Sequence, residues 1–309
     1  MKNRLIYRDI LTHCYQRTED RGVLFYTFSD CLVYFTIYCL MARKYNIRVL
    51  ALCQMPDHIH DSIVSGCKRN LSLFKCEVNR RFSRAWNSFS GVAGPVFEGR
   101  FGSAPKPGDK KARTNLIYVY NNPVERRLVK RAAEYRWNFL AYGKSDHPFS
   151  EKLVIRYSSP AMKRAIKEVR RTFNAGLPMN YALLKRLFGR LDRRESLQLT
   201  DYIISTYNVI DYDSAARFFG GFENMVRAID SSTGNEYDLN EIFVGKSDVC
   251  YGQMTKILQN DLHLQDIHEI LAKTQDEKFE LFRYLMRRTS TDPKQIGKFL
   301  HLPVIDKQQ

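Results

Sequence analysis

The stretch Met55-Pro56-Asp57-His58-Ile59-His60 constrains this chain most. Residues Arg48 to Met55 read as one strand, and His58 to Val64 as a second strand paired back on its predecessor. Successive strand side chains point to opposite faces, so His58 and His60 project the same way with one hydrophobic residue between them. That geometry suits two imidazoles on one ion. The same alternation sends Asp57 and Asp61 to the opposite face, where they are expected as solvated surface carboxylates and not as ligands.

A second segment lies about sixty residues on, Tyr118-Val119-Tyr120-Asn121-Asn122-Pro123-Val124. Residues four apart on a helix sit one above the other, so Tyr118 and Asn122 share a face, offering a phenol and an amide oxygen. Pro123 weakens the helix ladder just beyond them. Tyr120, two residues from Tyr118, turns to a divergent face and is the second choice of nucleophile.

The first half mixes strand-like and helix-like runs. Ile10 to Arg17 reads as a strand, Ser29 to Tyr45 and Leu71 to Asn87 as helices, and the whole follows a βαββαβα order ending in the tyrosine helix. An α+β fold is expected, a ferredoxin-like antiparallel sheet with packed helices over residues 1–150. From about residue 157 only helices are expected: Ser159 to Phe173, Asn180 to Leu191, Gln198 to Tyr207, Tyr212 to Phe219 and Phe222 to Ile229. The join near Ser145 to Ser150, which contains Pro148, divides the chain into 1–150 and an all-helical 151–309.

The last helices have a signature of their own. Leu264 to Lys273 and Glu277 to Arg288 read as two helices, followed by a polar turn and then Lys294 to Leu300, with Asp292 as N-cap and Pro293 at the first helical position. Over about 264–303 this is the outline of a helix-turn-helix, in which Gln295 and Lys298 would meet DNA; a three-helix packing unit without DNA contact is the alternative.

Charge is divided unevenly. Residues 1–150 hold 25 Lys and Arg against 12 Asp and Glu, a net of +13, whereas 151–309 hold 24 against 21, a net of +3. Such asymmetry is an electrostatic footprint for a polyanion. Arg100, Lys106, Lys110, Lys111 and Arg113 lie on the approach to the tyrosine helix, with Gly102, Pro105, Pro107 and Gly108 marking a loop among them. Arg126, Arg127, Lys130 and Arg131 follow the helix, and Phe97, Phe101, Tyr135 and Trp137 offer stacking faces for unpaired bases.

Four segments in order resemble the single-tyrosine HUH transposases, in the branch of the REP-associated tyrosine transposases. They are Met55 to His60, Gly94-Pro95-Val96-Phe97-Glu98-Gly99-Arg100-Phe101, Tyr118 with Asn122-Pro123-Val124, and Glu134-Tyr135-Arg136-Trp137. The resemblance covers roughly the first 145 residues. It implies cleavage and rejoining of single-stranded DNA, commonly with hairpin structure, through a 5′-phosphotyrosine. Tyr118, five residues before the proline, would be the nucleophile, and a divalent ion would be held by His58, His60 and Asn122. Mg²⁺ or Mn²⁺ is expected on family grounds, although two imidazoles and an oxygen leave Zn²⁺ open. Members include monomers and homodimers. The final forty residues are also similar to the DNA-binding domain of the bacterial replication initiator, without its basic tail.

Other classes are disfavoured. Cysteines 14, 31, 39, 53, 67, 76 and 250 form no close pairs and read as reduced thiols in a cytoplasm. The most hydrophobic run, Cys31 to Met41, is too short to span a membrane, and neither a Walker motif nor a dinucleotide fingerprint occurs. The expected role is transposition or mobilisation of repeated hairpins. A non-cleaving DNA-binding regulator on the same fold, or a relaxase-type or rolling-circle nickase, remain as alternatives, the latter without the usual helicase motif.

Overall fold

The computed structural model describes residues 7–232 and 247–302. The parts of the expected helical unit at 233–246 and 303–309, including the last position of the helix-turn-helix span, lie outside the described residues. The architecture is α+β, a four-stranded antiparallel sheet with packed helices followed by helices alone.

Strands β1 (Thr12–Arg17), β2 (Ile47–Met55), β3 (His58–Ser65) and β4 (Gly102–Pro105) form the sheet in the order β2-β3-β1-β4. The first tight connection sets its register: Pro56-Asp57 joins β2 to β3 so that Met55 faces His58 and Cys53 faces His60. On the other side of β3, Arg17 stands opposite His58 and Tyr15 opposite His60. The expected loop around Gly102 is in part the edge strand β4. A side-chain carbon at Gly102 would fall 2.1 Å from the Tyr15 ring, so only glycine lets this short edge lie against β1.

Helices cover both faces. Helices α1 (Phe28–Lys44) and α2 (Lys68–Ser90) pack on Cys14, Leu52, Ile59 and Ile63 through Phe35, Tyr38, Phe74 and Val78. Helix α3 (Asp109–Glu125) lies on the other face, where Leu116, Val119 and Tyr120 meet Cys53, Met55 and Val64. Helix α1 is apolar on nearly every side from Cys31 to Ala42, as a helix enclosed by its neighbours must be. Its start is fixed by a capping box: Thr27 accepts from the Asp30 backbone, and Asp30 accepts from the Thr27 backbone at 2.8 Å.

This double cover corrects the expectation for the two carboxylates. Asp61 does face away from the histidines, but that side is roofed by α1 and α2, and it is fully buried beside the Tyr38 hydroxyl and the Lys75 ammonium. Asp57 sits in the turn before strand alternation begins. It is buried too, and its carboxylate turns towards His58.

The second half is helical as expected: α4 (Pro160–Asn174), α5 (Tyr181–Phe188), α6 (Arg193–Tyr207), α7 (Tyr212–Arg217), α8 (Phe222–Asp230), α9 (Val249–Asp261), α10 (Gln275–Arg288) and α11 (Pro293–Leu300). Two details differ from the sequence reading. The expected helix at 264–273 is a single 3-10 turn, Ile267–Ile270, closed by its own capping box between Asp266 and Glu269. Helix α9 has no counterpart among the expected helices; Gly252 interrupts its pattern, and Cys250, Tyr251, Met254 and Leu258 bury its inner face. Among the described residues no helix is long and apolar enough to cross a membrane.

Buried carboxylates join the two halves. Asp30 accepts from the Tyr181 hydroxyl at 2.8 Å and lies 2.9 Å from His268 Nε2. Asp201 of α6 accepts from the Tyr142 hydroxyl at 2.6 Å and from the Phe149 backbone, and pairs with Arg136 at 3.0 Å. Burial by itself would lower the His268 imidazole, but Asp30 and Asp266 outweigh it and raise its pKa to about 9.

A folded-state pKa above the unfolded value of about 6.5 gives stability that is full below pH 6.5 and lost as pH rises through about 9, on the order of 3 kcal/mol. Thermal unfolding followed from pH 6 to 10 should show this fall, and His268→Gln should flatten it. An unchanged slope in the variant would reject the assignment.

Candidate active site

Helix α3 runs across the polar stripe of the sheet and meets it pair by pair. Ser62 donates to Asn115 Oδ1 at 2.8 Å. The His60 ring lies 5.3 Å from the Tyr118 ring, edge to face. His58 Nε2 lies 3.2 Å from Asn122 Oδ1. Helical spacing delivers Tyr118 and Asn122 to one face, and strand spacing delivers His60 and His58, whose rings are 4.9 Å apart. All four side chains are buried: Tyr118 is 2 % exposed, His58 5 %, His60 1 % and Asn122 2 %.

Tyr118 and Tyr120 diverge. Tyr118 is edge-on to both His60 and His13, the latter at 5.6 Å, whereas the Tyr120 hydroxyl donates to the Leu50 carbonyl at 3.0 Å beneath the helix. Burial pushes the Tyr120 phenol well above its ordinary range.

A third histidine completes the group. His13 on β1 stands beside β3, and its Nε2 lies 3.0 Å from His60 Nδ1, with the two rings stacked 5.2 Å apart. Burial, with Lys106 and Lys75 nearby, pushes the His13 imidazole down to about 3. Burial first, then His58 and His13, holds His60 well below the usual histidine range. Both are therefore neutral near pH 7, the form in which an imidazole nitrogen can ligate a metal. The strand period was the available signal for His13, since it places position 13 on the face of Tyr15 and Arg17, but the register against β3 is needed to bring it to His60.

His58 is held from behind. Asp57 Oδ1 lies 2.6 Å from His58 Nδ1, which turns Nε2 towards Asn122, the arrangement by which a carboxylate orients a ligating imidazole. Although burial opposes ionisation, His58 and Lys298 hold the Asp57 carboxyl well below the usual range. Lys298 comes from α11 and donates to Asp57 Oδ2 at 3.0 Å. Asp248, at the start of α9, lies in the same field; burial, then Asp57, pushes it up to about 6. Among the described residues no three His, Cys, Asp or Glu side chains converge as a metal set. The His58 imidazole meets the Asn122 amide oxygen, and the His60 ring lies beside it.

The basic residues separate into groups. Lys110, Lys111 and Arg113 are exposed on the first turns of α3, with Lys111 about 10 Å along the axis from Tyr118 at 1.5 Å per residue. Lys106 is half-buried just after β4, and Arg100 is exposed on the preceding loop. Arg126 and Arg127 close the other end of α3, where their carbonyls accept from the Asp248 backbone and the Ser247 hydroxyl. Gln295 does not face outward: it is 2 % exposed and donates to the Ser247 carbonyl at 3.0 Å. With Lys298 on Asp57 and Ile296, Phe299 and Leu300 buried, α11 is docked on the sheet domain and does not present Gln295 for base contact. Of the aromatic group, Trp137 packs between Phe28 and Phe139, and the Tyr135 hydroxyl donates to the Gln54 carbonyl. Phe97 and Phe101 instead line a cleft beside α2.

No family model matches the chain, and no curated protein does. Among solved structures it is similar to a REP-associated tyrosine transposase bound to a REP hairpin, with 16% identity and a TM-score of 0.40, over 50% of this chain and 93% of that one.

The different surroundings of the two tyrosines give a direct expectation. Tyr120→Phe leaves the buried Leu50 carbonyl without its donor and should lower stability by about 1–3 kcal/mol in urea unfolding. Unchanged stability would reject this structural role for the Tyr120 hydroxyl.

Proposed function

We propose that this chain cuts and rejoins single-stranded DNA, with Tyr118 as nucleophile. The observation that carries the reading is the meeting of Tyr118, His60, His58 and Asn122 on one face of the sheet under one helix. A tyrosine serving only as core would have no need of a polar stripe beneath it. The charge of the first 150 residues, and the Lys110, Lys111 and Arg113 group on α3, supply cations for a phosphate backbone.

The phenolic oxygen of Tyr118 attacks phosphorus, the bond from phosphorus to the 3′ oxygen breaks, and the 5′ phosphate stays on the protein. The freed 3′ hydroxyl can attack the phosphotyrosine in reverse, so rejoining requires no external energy source. A free phenol has a pKa of about 10, so deprotonation must be assisted near pH 7. Held by His58, His60 and Asn122, a Mg²⁺ or Mn²⁺ ion would polarise the scissile phosphate and spread its developing charge. Asp57 would keep His58 Nε2 facing the ion, and the His13 contact would do the same for His60. The cellular role that fits is transposition or mobilisation of repeated hairpin elements.

A second reading, a DNA-binding protein that does not cleave, is favoured by one fact. Tyr118 and both histidines are shut from solvent, so a phosphate reaches them only if the cover opens.

Incubation with 3′-labelled hairpin-bearing single strands should give a covalent adduct with Mn²⁺ and none with EDTA, mapped by mass spectrometry to Tyr118. Tyr118→Phe should abolish the adduct and keep DNA binding, and Asn122→Ala should weaken metal affinity. Binding without any adduct in Mn²⁺, or in Mg²⁺ in its place, would decide for the non-cleaving protein.

A further inference from the structure

We propose that the cleft between α2 and the 95–101 loop holds an unpaired base of the DNA strand, an inference that rests on the single-strand reading above. The cleft measures about 520 Å³, within the range of sites that take a small organic group. Its apolar wall is Val96, Phe97 and Phe101, and Arg80 and Arg100 stand exposed at its rim. Rings inside and guanidinium groups at the mouth are what a base with its phosphate requires.

Two further features point to a base over a bare anion. The one ammonium deep in the cleft, Lys75, is 2 % exposed and already neutralised by Asp61, so the interior offers no uncompensated charge. Asn79 donates through Nδ2 to Gln16 at 2.9 Å, but its Oδ1 is buried and accepts no hydrogen bond. A buried acceptor of this kind calls for a donor, and every DNA base carries an N–H on its pairing edge. Helix α2 itself has six Lys and Arg against one Glu, which extends the attraction for phosphates along the cleft.

The cleft is also tied to the candidate active site. Gln16 bridges its two walls, accepting from Asn79 and donating to the Glu98 carbonyl at 3.2 Å. The next residue, Arg17, stands opposite His58 in the sheet. The cleft and the Tyr118 face lie on opposite sides of the sheet, so a strand anchored by one base in the cleft would have to round the end of β1 to reach Tyr118.

Cys76 lines the cleft and is exposed, and Cys67, at the start of the same helix outside the cleft, is the other exposed thiol among the described residues. Maleimide alkylation of the unmodified full chain, mapped by mass spectrometry, reads both at once. With a twelve-nucleotide single strand at ten times its dissociation constant, alkylation of Cys76 should slow about tenfold while Cys67 changes little. Heparin, which carries charge without bases, should not protect Cys76. Equal protection by heparin would overturn the base pocket in favour of charge alone. Binding of the oligonucleotide by anisotropy with Cys76 alkylated at its free rate would overturn the pocket and leave the proposed function standing. No single-strand binding at all would overturn both.

Discussion

Three side-chain pairs join β3 to α3, and the rest of the molecule is arranged so that they can form. Ser62 meets Asn115, His60 meets Tyr118 and His58 meets Asn122. Alternate strand residues are about 6.7 Å apart and every third or fourth helical residue about 5 Å, so the two rows stay in step over this short length. Polar groups buried under a helix cost a kcal/mol or more when they lack a hydrogen bond, and Ser62 and His58 meet their polar partners on α3, while His60 meets the Tyr118 ring edge to face. The apolar contacts of Leu116, Val119 and Tyr120 hold α3 down, while the polar pairs decide how it lies.

The same demand explains how the halves of the chain are held. Asp30, Asp57 and Asp201 are buried carboxylates, and each finds partners on the other side of the expected boundary near 145–150. Buried ion pairs add little net stability, since desolvation offsets much of the attraction, but removing one partner is costly. They therefore serve orientation more than affinity. The result for the candidate active site is that its most polar corner, Asp57 with His58, is capped by Lys298 from a helix some 240 residues later in the chain.

Much of this is legible in the sequence. The strand and helix periods give β2, β3, α1 and α2 to within a few residues, and their spacing already groups His58 with His60 and Tyr118 with Asn122, whereas α3 begins at Asp109 and takes in Lys110, Lys111 and Arg113, which the sequence places on the approach to it. Less legible was anything set by what covers a face. Asp61 lies on the side that alternation assigns it, yet it is buried because α1 and α2 roof that side. Helix α9 carries no clear period, and the segment at 267–270 has the pattern of a longer helix but a capping box closes it after one turn. Nothing in the neighbourhood of His13 in the sequence marks it; only the register of β1 against β3 does.

What the sequence by itself determined is local: the direction each side chain takes along its own strand or helix, the cap at Asp292, and the concentration of positive charge before residue 150. Those follow from backbone period and composition. Only the tertiary structure decided the antiparallel register that brings His13 to His60, the docking of α11 that gives Lys298 to Asp57 while burying Gln295, and the cleft where α2 meets the 95–101 loop. Each joins segments distant in the chain, and such pairings are fixed by the burial and hydrogen-bond satisfaction of the whole assembly, which no local period encodes.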